Sequence, residues 1–335
     1  MAGDNRAARP ALLAAALALL GALCLLSIAV GSRQIPLDEV VRALTGPRDT
    51  EVATIVWDVR LPRTVLGVLA GAALGLAGAV MQGLTRNPLA DPGLLGVSAG
   101  AAFALMLAVA VAGITSLHGY IWFAFAGAVV AGVAVYVLGG LGRGGQTPVK
   151  LALAGIAVTF LLESITRGVS LVDPQVLNRY RFWSSGSLAG QNTALIGQVL
   201  PFLAVGAVLA LSLAPALNNL ALGDDVAASL GRRLRLVRAQ GAVAVTLLAG
   251  AAVAVAGPIV FVGLVVPHAV RAVSGPDQRW LLPLTALVAP CLLLAADIVG
   301  RVAARPQEVD VGVVAAFLGA PFFIALVRRR RLAEL

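Results

Sequence analysis

Charged residues are scarce in this 335-residue chain, 12% of the total, where a soluble domain carries about 25%. Lysine occurs once, as Lys150 between Val149 and Leu151. A P-loop needs Gly-Lys followed by Ser or Thr, because that lysine and the loop amides hold the nucleotide phosphates. The chain therefore carries no such ATP site of its own. Cysteine occurs twice, as Cys24 and Cys291, both inside apolar runs. They read as small buried packing residues, without a CxxC site or a disulfide framework. His268 follows Pro267 with no Cys, His or carboxylate nearby in sequence, which favours a structural role over a metal or proton-relay role. No nucleophile, base and orienting group form a readable constellation, so we expect no catalytic residue, no metal site and no enzyme. Alternating ten-residue segments, the mark of an outer-membrane barrel, are missing as well.

What the chain has is apolar sequence. Hydrophobic residues make up 59% and mean hydropathy is +0.94. Apolar runs near 20 residues recur, each close to the length a helix needs to cross about 30 Å of hydrocarbon. Ten candidate spans start near Ala11, Arg63, Pro92, Tyr120, Lys150, Asn192, Leu236, Pro258, Leu281 and Val311. The first follows Arg6 and Arg9 but exceeds the roughly 7–15 residues of a signal-peptide core, so we read it as an uncleaved helix. Gly257-Pro258 divides an apolar run too long for one crossing, because proline removes a donor and restricts the residue before it. The expected fold is all-α: a polytopic membrane protein of about ten helices, one transmembrane domain over residues 1–335.

Arg328, Arg329, Arg330 and Arg331 have no acidic neighbour until Glu334, and such clusters stay in the cytoplasm. Ten spans then put both termini inside, with 15 of the 25 basic residues on that side. Small residues crowd the spans, as at Gly71 and Gly75, and allow close helix approach where lipid supplies no hydrophobic drive. LAGAALGLAG from Leu69 and LAGAAVAVAG from Leu248 agree at seven of ten positions, with Pro88 and Pro267 at the same offset. Five spans separate the copies, a candidate inverted internal repeat of the kind transporters use.

A transporter needs an energy source. Ion coupling leaves ionisable residues near mid-membrane, and the candidates are Glu163 with Arg167, and Asp297 with Arg301. Both pairs have the four-residue spacing of a local ion pair on a helix, and a structural or docking role outweighs proton relay. An ion-coupled secondary transporter remains the rival class. The polar stretch at residues 217–238 lies in the cytoplasm by the span count. Asp224 as N-cap and Gly231 as stop enclose a two-turn helix with Val226, Ala227 and Leu230 on one side. So short a helix is marginal in water; a groove on an ATPase partner would stabilise it, while a solvated loop fixing topology is the alternative.

Several segments together resemble one family. They are RLPR at Arg60, GAVMQGLTRNPLADPGLLGVSAGA from Gly78, LALAGIAV from Leu151, LNNLALGDDVAASLG from Leu217, AGPIVFVGLVVPH from Ala256, LLAADIVGR from Leu293 and GAPFFIALV from Gly319. They look like the permease subunits of bacterial ABC importers for ferric siderophores, haem and vitamin B12. The resemblance implies a homodimer in the bacterial cytoplasmic membrane, two separate ATPase subunits that carry the ATP and Mg, and an extracytoplasmic substrate-binding protein. No cofactor on this chain and no nucleic-acid partner are implied. It assigns ATPase coupling to Gly223, Asp224, Asp225, Val226, Ala227, Leu230, Gly231 and Arg232, within a segment at about residues 217–235. Docking of the binding protein falls to Arg60, Arg63 and Arg301, with anchoring of helix ends as the alternative. Thr147 and Pro148 match the cytoplasmic gate. Gln82 and Asn87 either line the path or cap helix ends, and capping is the better reading for Asn87 and Asp91. The WSSGSL segment at Trp183 resembles the siderophore branch, so a ferric siderophore is the expected cargo, with haem and vitamin B12 as alternatives. The chain departs from the family at Asp310, where a proline is usual, which would loosen the entry to the last helix.

Overall fold

A computed structural model describes residues 9–114, 116–141, 148–190, 193–231 and 233–328. Among them the regular elements are all helical. In chain order they are α1 (Arg9–Ala29), α2 (Leu37–Thr45), α3 (Glu51–Thr54), α4 (Leu61–Thr85), α5 (Val97–Ala110), α6 (Leu117–Gly140), α7 (Pro148–Val172), α8 (Pro174–Ser184), α9 (Thr193–Ser212), α10 (Ala214–Leu220), α11 (Asp224–Ser229), α12 (Leu234–Ala256), α13 (Val262–Ser274), α14 (Gln278–Ala303) and α15 (Val311–Arg328). A π-helical turn, Ile55–Arg60, joins α3 to α4, so helix runs unbroken from Glu51 to Thr85. Pro62, in the first turn of α4, follows this π-helical turn directly and does not interrupt the helix.

Among the described residues, seven helices are long and apolar enough to cross a membrane: α1, the Glu51–Thr85 rod, α6, α7, α9, α12 and α14. The other three expected spans form α5, α13 and α15, and for α5 and α13 the backbone explains why the helix is short. The Pro92 run opens with a 3-10 turn, Pro92–Leu95, and a left-handed Gly96 before α5 begins. After Gly257, whose φ of 72° suits a residue without Cβ, the chain stays non-helical until Phe261, itself left-handed, and α13 starts only at Val262. The helices α2, α8 and α10 fall outside the span pattern.

α4 and α12 are the most enclosed of the long helices, and both carry the LAGA echo. α4 packs on α14, α12 and α13, and its glycines set the spacing. A Cβ on Gly78 would lie 1.9 Å from the Gly263 carbonyl oxygen, and one on Gly71 would lie 2.6 Å from Pro290 Cα. The two backbones therefore touch, and contact of this kind is what binds helices in lipid. α7 sits on the outside of the bundle, with most of its apolar side chains uncovered.

Candidate functional site

Two polar clusters stand at opposite ends of α4. At its start, Arg60, Arg63 and Arg301 are only 4%, 6% and 2% exposed, and each finds partners within the chain. Arg63 donates from Nε and Nη2 to Asp297 Oδ1 at 3.1 and 2.8 Å, and from Nη1 to Glu308 Oε2 at 2.6 Å. Arg301, one turn beyond Asp297, pairs with its Oδ2 at 2.8 Å and donates to the Ser27 and Val30 carbonyls. Arg60 donates to the carbonyls of Ile28, Ala29 and Arg33. The last carbonyls of a helix lack intrahelical donors, and cations near that end also oppose the helix dipole. Arg60 and Arg301 thus close the end of α1. Of the two roles expected for these arginines, the structure displays anchoring: the guanidinium groups turn inward and leave little surface for direct contact with another protein.

The entry to α15 is tied to this cluster. The Gly312 N–H donates to the Gly186 carbonyl and the Val309 N–H to the Gly300 carbonyl. Asp310 accepts from the Val313 and Val314 N–H groups through its own carbonyl, so the helix begins there without the proline the family pattern led us to expect. Burial pushes the Glu308 carboxyl up, but hydrogen bonds from Ser32 and Arg63 and the charges of Arg63 and Arg301 prevail and hold it below its ordinary value.

At the other end of α4 lies α11. Its N-cap is Gly223, with φ of 104°, and not Asp224 as the sequence suggested. Asp224 is the first helical residue, and its carboxylate is drawn away from the cap by Arg238 of α12 at 2.6 Å and Arg86, which follows α4, at 3.6 Å. Gly231 stops the helix in the left-handed region, φ 79°, as expected. Ala227 is buried, whereas Val226 and Leu230 are 44% and 55% exposed and Leu222 is 63% exposed. Asp225 is also exposed. The short helix is therefore clamped by its first acid and inner alanine, and offers an apolar edge outward. Arg86 and Arg238 lie outside the resemblance-based set; Arg238 is a basic residue 14 positions from Asp224, whereas Arg86 is 138 positions away and carries no local signal. Arg232 and Thr147 lie outside the described residues, and Pro148 begins α7.

Gln82, expected to line the path or cap a helix end, joins two helices. It is fully buried; its Nε2 donates to the Gly263 and Leu264 carbonyls at 3.3 and 3.2 Å, and its Oε1 accepts from Arg271. In a helix the Gly263 carbonyl would accept from residue 267, but Pro267 has no N–H. Gln82 supplies that donor and joins α4 to α13 at the turn where α13 is weakest. Asn87 accepts the Leu89 N–H and Asp91 the Gly93 N–H through their side chains, the local turn-capping that suits these residues.

Comparison with known proteins places this geometry. The model of the FecCD transport family matches residues 19–329. The ferric enterobactin transport system permease protein FepD of Escherichia coli (strain K12) is 50% identical over 306 residues, 91% of each chain. The iron(3+)-hydroxamate import system permease protein FhuB of Bacillus subtilis (strain 168) is 40% identical over 324 residues, 95% of this chain and 84% of that one. A solved inward-facing structure of a metal-chelate type ABC transporter superposes with a TM-score of 0.84 at 28% identity, covering 96% of this chain and 99% of that one. The chain belongs to the FecCD transport family, the multi-pass permease subunits of metal-chelate ABC importers.

Proposed function

We propose that this chain carries a ferric siderophore across the bacterial inner membrane as one half of a permease homodimer, driven by two copies of a separate ATPase that binds ATP and Mg. The observation that carries the reading is α11. Leu222, Val226 and Leu230 are exposed on a segment too short to be stable alone, yet Asp224 fixes it to α4 and α12. A partner's cleft would cover the apolar edge, and the two arginine clamps would carry its movement into the membrane helices. The identity of half the residues to a ferric enterobactin permease supports a siderophore over haem or vitamin B12. The termini are assigned to the cytoplasm by the arginines at 328–331.

An extracytoplasmic binding protein would deliver the cargo at the opposite end. There Arg60, Arg63 and Arg301 serve docking at one remove: they hold the end of α1 and the stretch at residues 304–310 in the shape that the binding protein meets.

The test is uptake of radiolabelled ferric siderophores, with haem and cobalamin as comparators, into proteoliposomes holding the chain, its ATPase and its binding protein. We expect one ferric siderophore to accumulate only with ATP. Uptake that ignores ATP and follows an imposed ion gradient would overturn the reading in favour of a secondary transporter.

A further inference from the structure

The short segment carrying α11 is held to the bundle at a second point. In α10, immediately before it, Asn218 uses both halves of its amide on the start of α14. Its Nδ2 donates to Asp277 Oδ1 at 2.7 Å, and its Oδ1 accepts the Gln278 N–H at 2.9 Å. Asp277 is the N-cap of α14 and also accepts the Arg279 N–H. On its other side stands Arg9, at the start of α1, 3.8 Å from Oδ2 and stacked over Trp280. Gln278 is buried behind this clasp. An amide that satisfies a donor and an acceptor on one helix end fixes both position and orientation, which a single contact does not.

α14 is suited to transmit what it receives. Its 26 residues span about 39 Å at the helical rise. It lies against α4 at successive glycines: a Cβ on Gly67 would meet Leu294, one on Gly71 would meet Pro290 and one on Gly75 would meet Ala289, all at 2.4–2.6 Å, with Thr285 next to Gly75 at 3.1 Å. Its far end carries Asp297 and Arg301, which gather Arg63, the carbonyls of α1 and, through Arg63, Glu308. α14 holds Pro283 and Pro290 within it, and the close fit against α4 braces the stretch from Thr285 to Leu294, so a displacement at Asp277 would reach the far cluster.

We propose that Asn218 and Asp277 form a clasp through which the coupling segment drives α14, and that α14 relays the ATPase stroke to the charged cluster beneath the binding-protein face. Asn218 is a positioning residue in this scheme, and the scheme rests on the importer reading above. It is distinct from the Asp224 clamp, which acts on α4 and α12.

Exchange of the two side chains tests the proposal. Asn218→Asp sets two carboxylates against each other, whereas Asn218→Asp with Asp277→Asn rebuilds the clasp with donor and acceptor reversed: the new carboxylate still accepts the Gln278 N–H, and only the Arg279 N–H, which shared the Asp277 Oδ1, gives up its bond. The readout is the change, on adding a non-hydrolysable ATP analogue, in the distance between spin labels on Gln175→Cys and Gln307→Cys. Both positions are exposed, and the measurement, made in the complex with the ATPase, needs no knowledge of the cargo. We expect a clear shift in the otherwise unaltered chain, loss of most of that shift in Asn218→Asp, and recovery in the exchanged pair. An undiminished shift in Asn218→Asp, no recovery in the exchanged pair, or a still far end in an unaltered complex that hydrolyses ATP would each overturn the clasp. A chain that neither recruits the ATPase nor supports its hydrolysis would overturn the importer reading, and the clasp with it.

Discussion

Asp297→Ala is the sharpest perturbation of the charged cluster at the start of α4. Asp297 is 1% exposed and accepts from Arg63 Nε at 3.1 Å, Arg63 Nη2 at 2.8 Å and Arg301 Nη2 at 2.8 Å. Each hydrogen bond to a charged group contributes about 1.5–3 kcal/mol, so the gross interaction removed is roughly 4–9 kcal/mol. Part of it is recovered, since Arg63 retains Glu308 and Arg301 retains the carbonyls of α1. What remains is the cost of two guanidinium groups buried close together without their shared counter-charge, and we expect a net loss of about 3–5 kcal/mol, the range for breaking a buried pair. Asp297→Asn, which keeps the shape and one acceptor but not the charge, should lose less. The assay is equilibrium unfolding in mixed micelles followed by circular dichroism, together with a double-mutant cycle using Arg63→Met. In the cycle, removing Arg63 as well should return part of the loss, because one uncompensated charge leaves with it. A loss below about 1 kcal/mol, the centre of the range for point substitutions in general, would refute the view that these arginines are built around Asp297.

Gln82→Leu keeps the bulk of the side chain and removes the donor that stands in for Pro267, so it should cost about 1–3 kcal/mol in the same unfolding assay and raise hydrogen exchange in α13; unchanged exchange would count against the patch. Leu230→Asp with Val226→Asp places charge on the exposed edge of α11 and should abolish ATPase capture in a pull-down without changing the unfolding midpoint, whereas retained capture would remove this edge from the interface. Burial raises the Asp277 carboxyl, but hydrogen bonds from Asn218 and the Arg279 N–H, with the charges of Arg9 and Arg279, outweigh it and leave it below the ordinary 3.8; Glu308 is likewise below its ordinary 4.5. The stability these two contribute is therefore complete above those ordinary values and lost as pH falls through the lower folded ones, so Asp277→Asn with Glu308→Gln should flatten the acid limb of a stability-against-pH curve, and an unaltered limb would contradict the sign.

The spans and their order were legible because hydrocarbon imposes length and composition on each helix. Chemistry that depends on distant pairing was not. The four-residue rule found Asp297 with Arg301 and Glu163 with Arg167, and both close, at 2.8 and 3.0 Å. No local rule reaches from Arg63 to Asp297, 234 positions away, and the roles set out for Arg63, docking from the family resemblance or anchoring of a helix end, named no such partner. The Asp224 cap failed for a related reason: a carboxylate beside a glycine of positive φ reads as a cap until Arg86 and Arg238 arrive from elsewhere in the chain and compete for it. Gln82 shows the same limit from the opposite direction. A proline inside α13 leaves the Gly263 carbonyl without its helical donor, and sequence reveals that gap at once. Which side chain fills it is decided by Gly78, whose missing Cβ lets α4 approach until Gln82 reaches the open carbonyl. A glycine, a proline and a glutamine that look unrelated along the chain are therefore one contact: the proline creates the need, the glycine grants the approach, and the glutamine satisfies it.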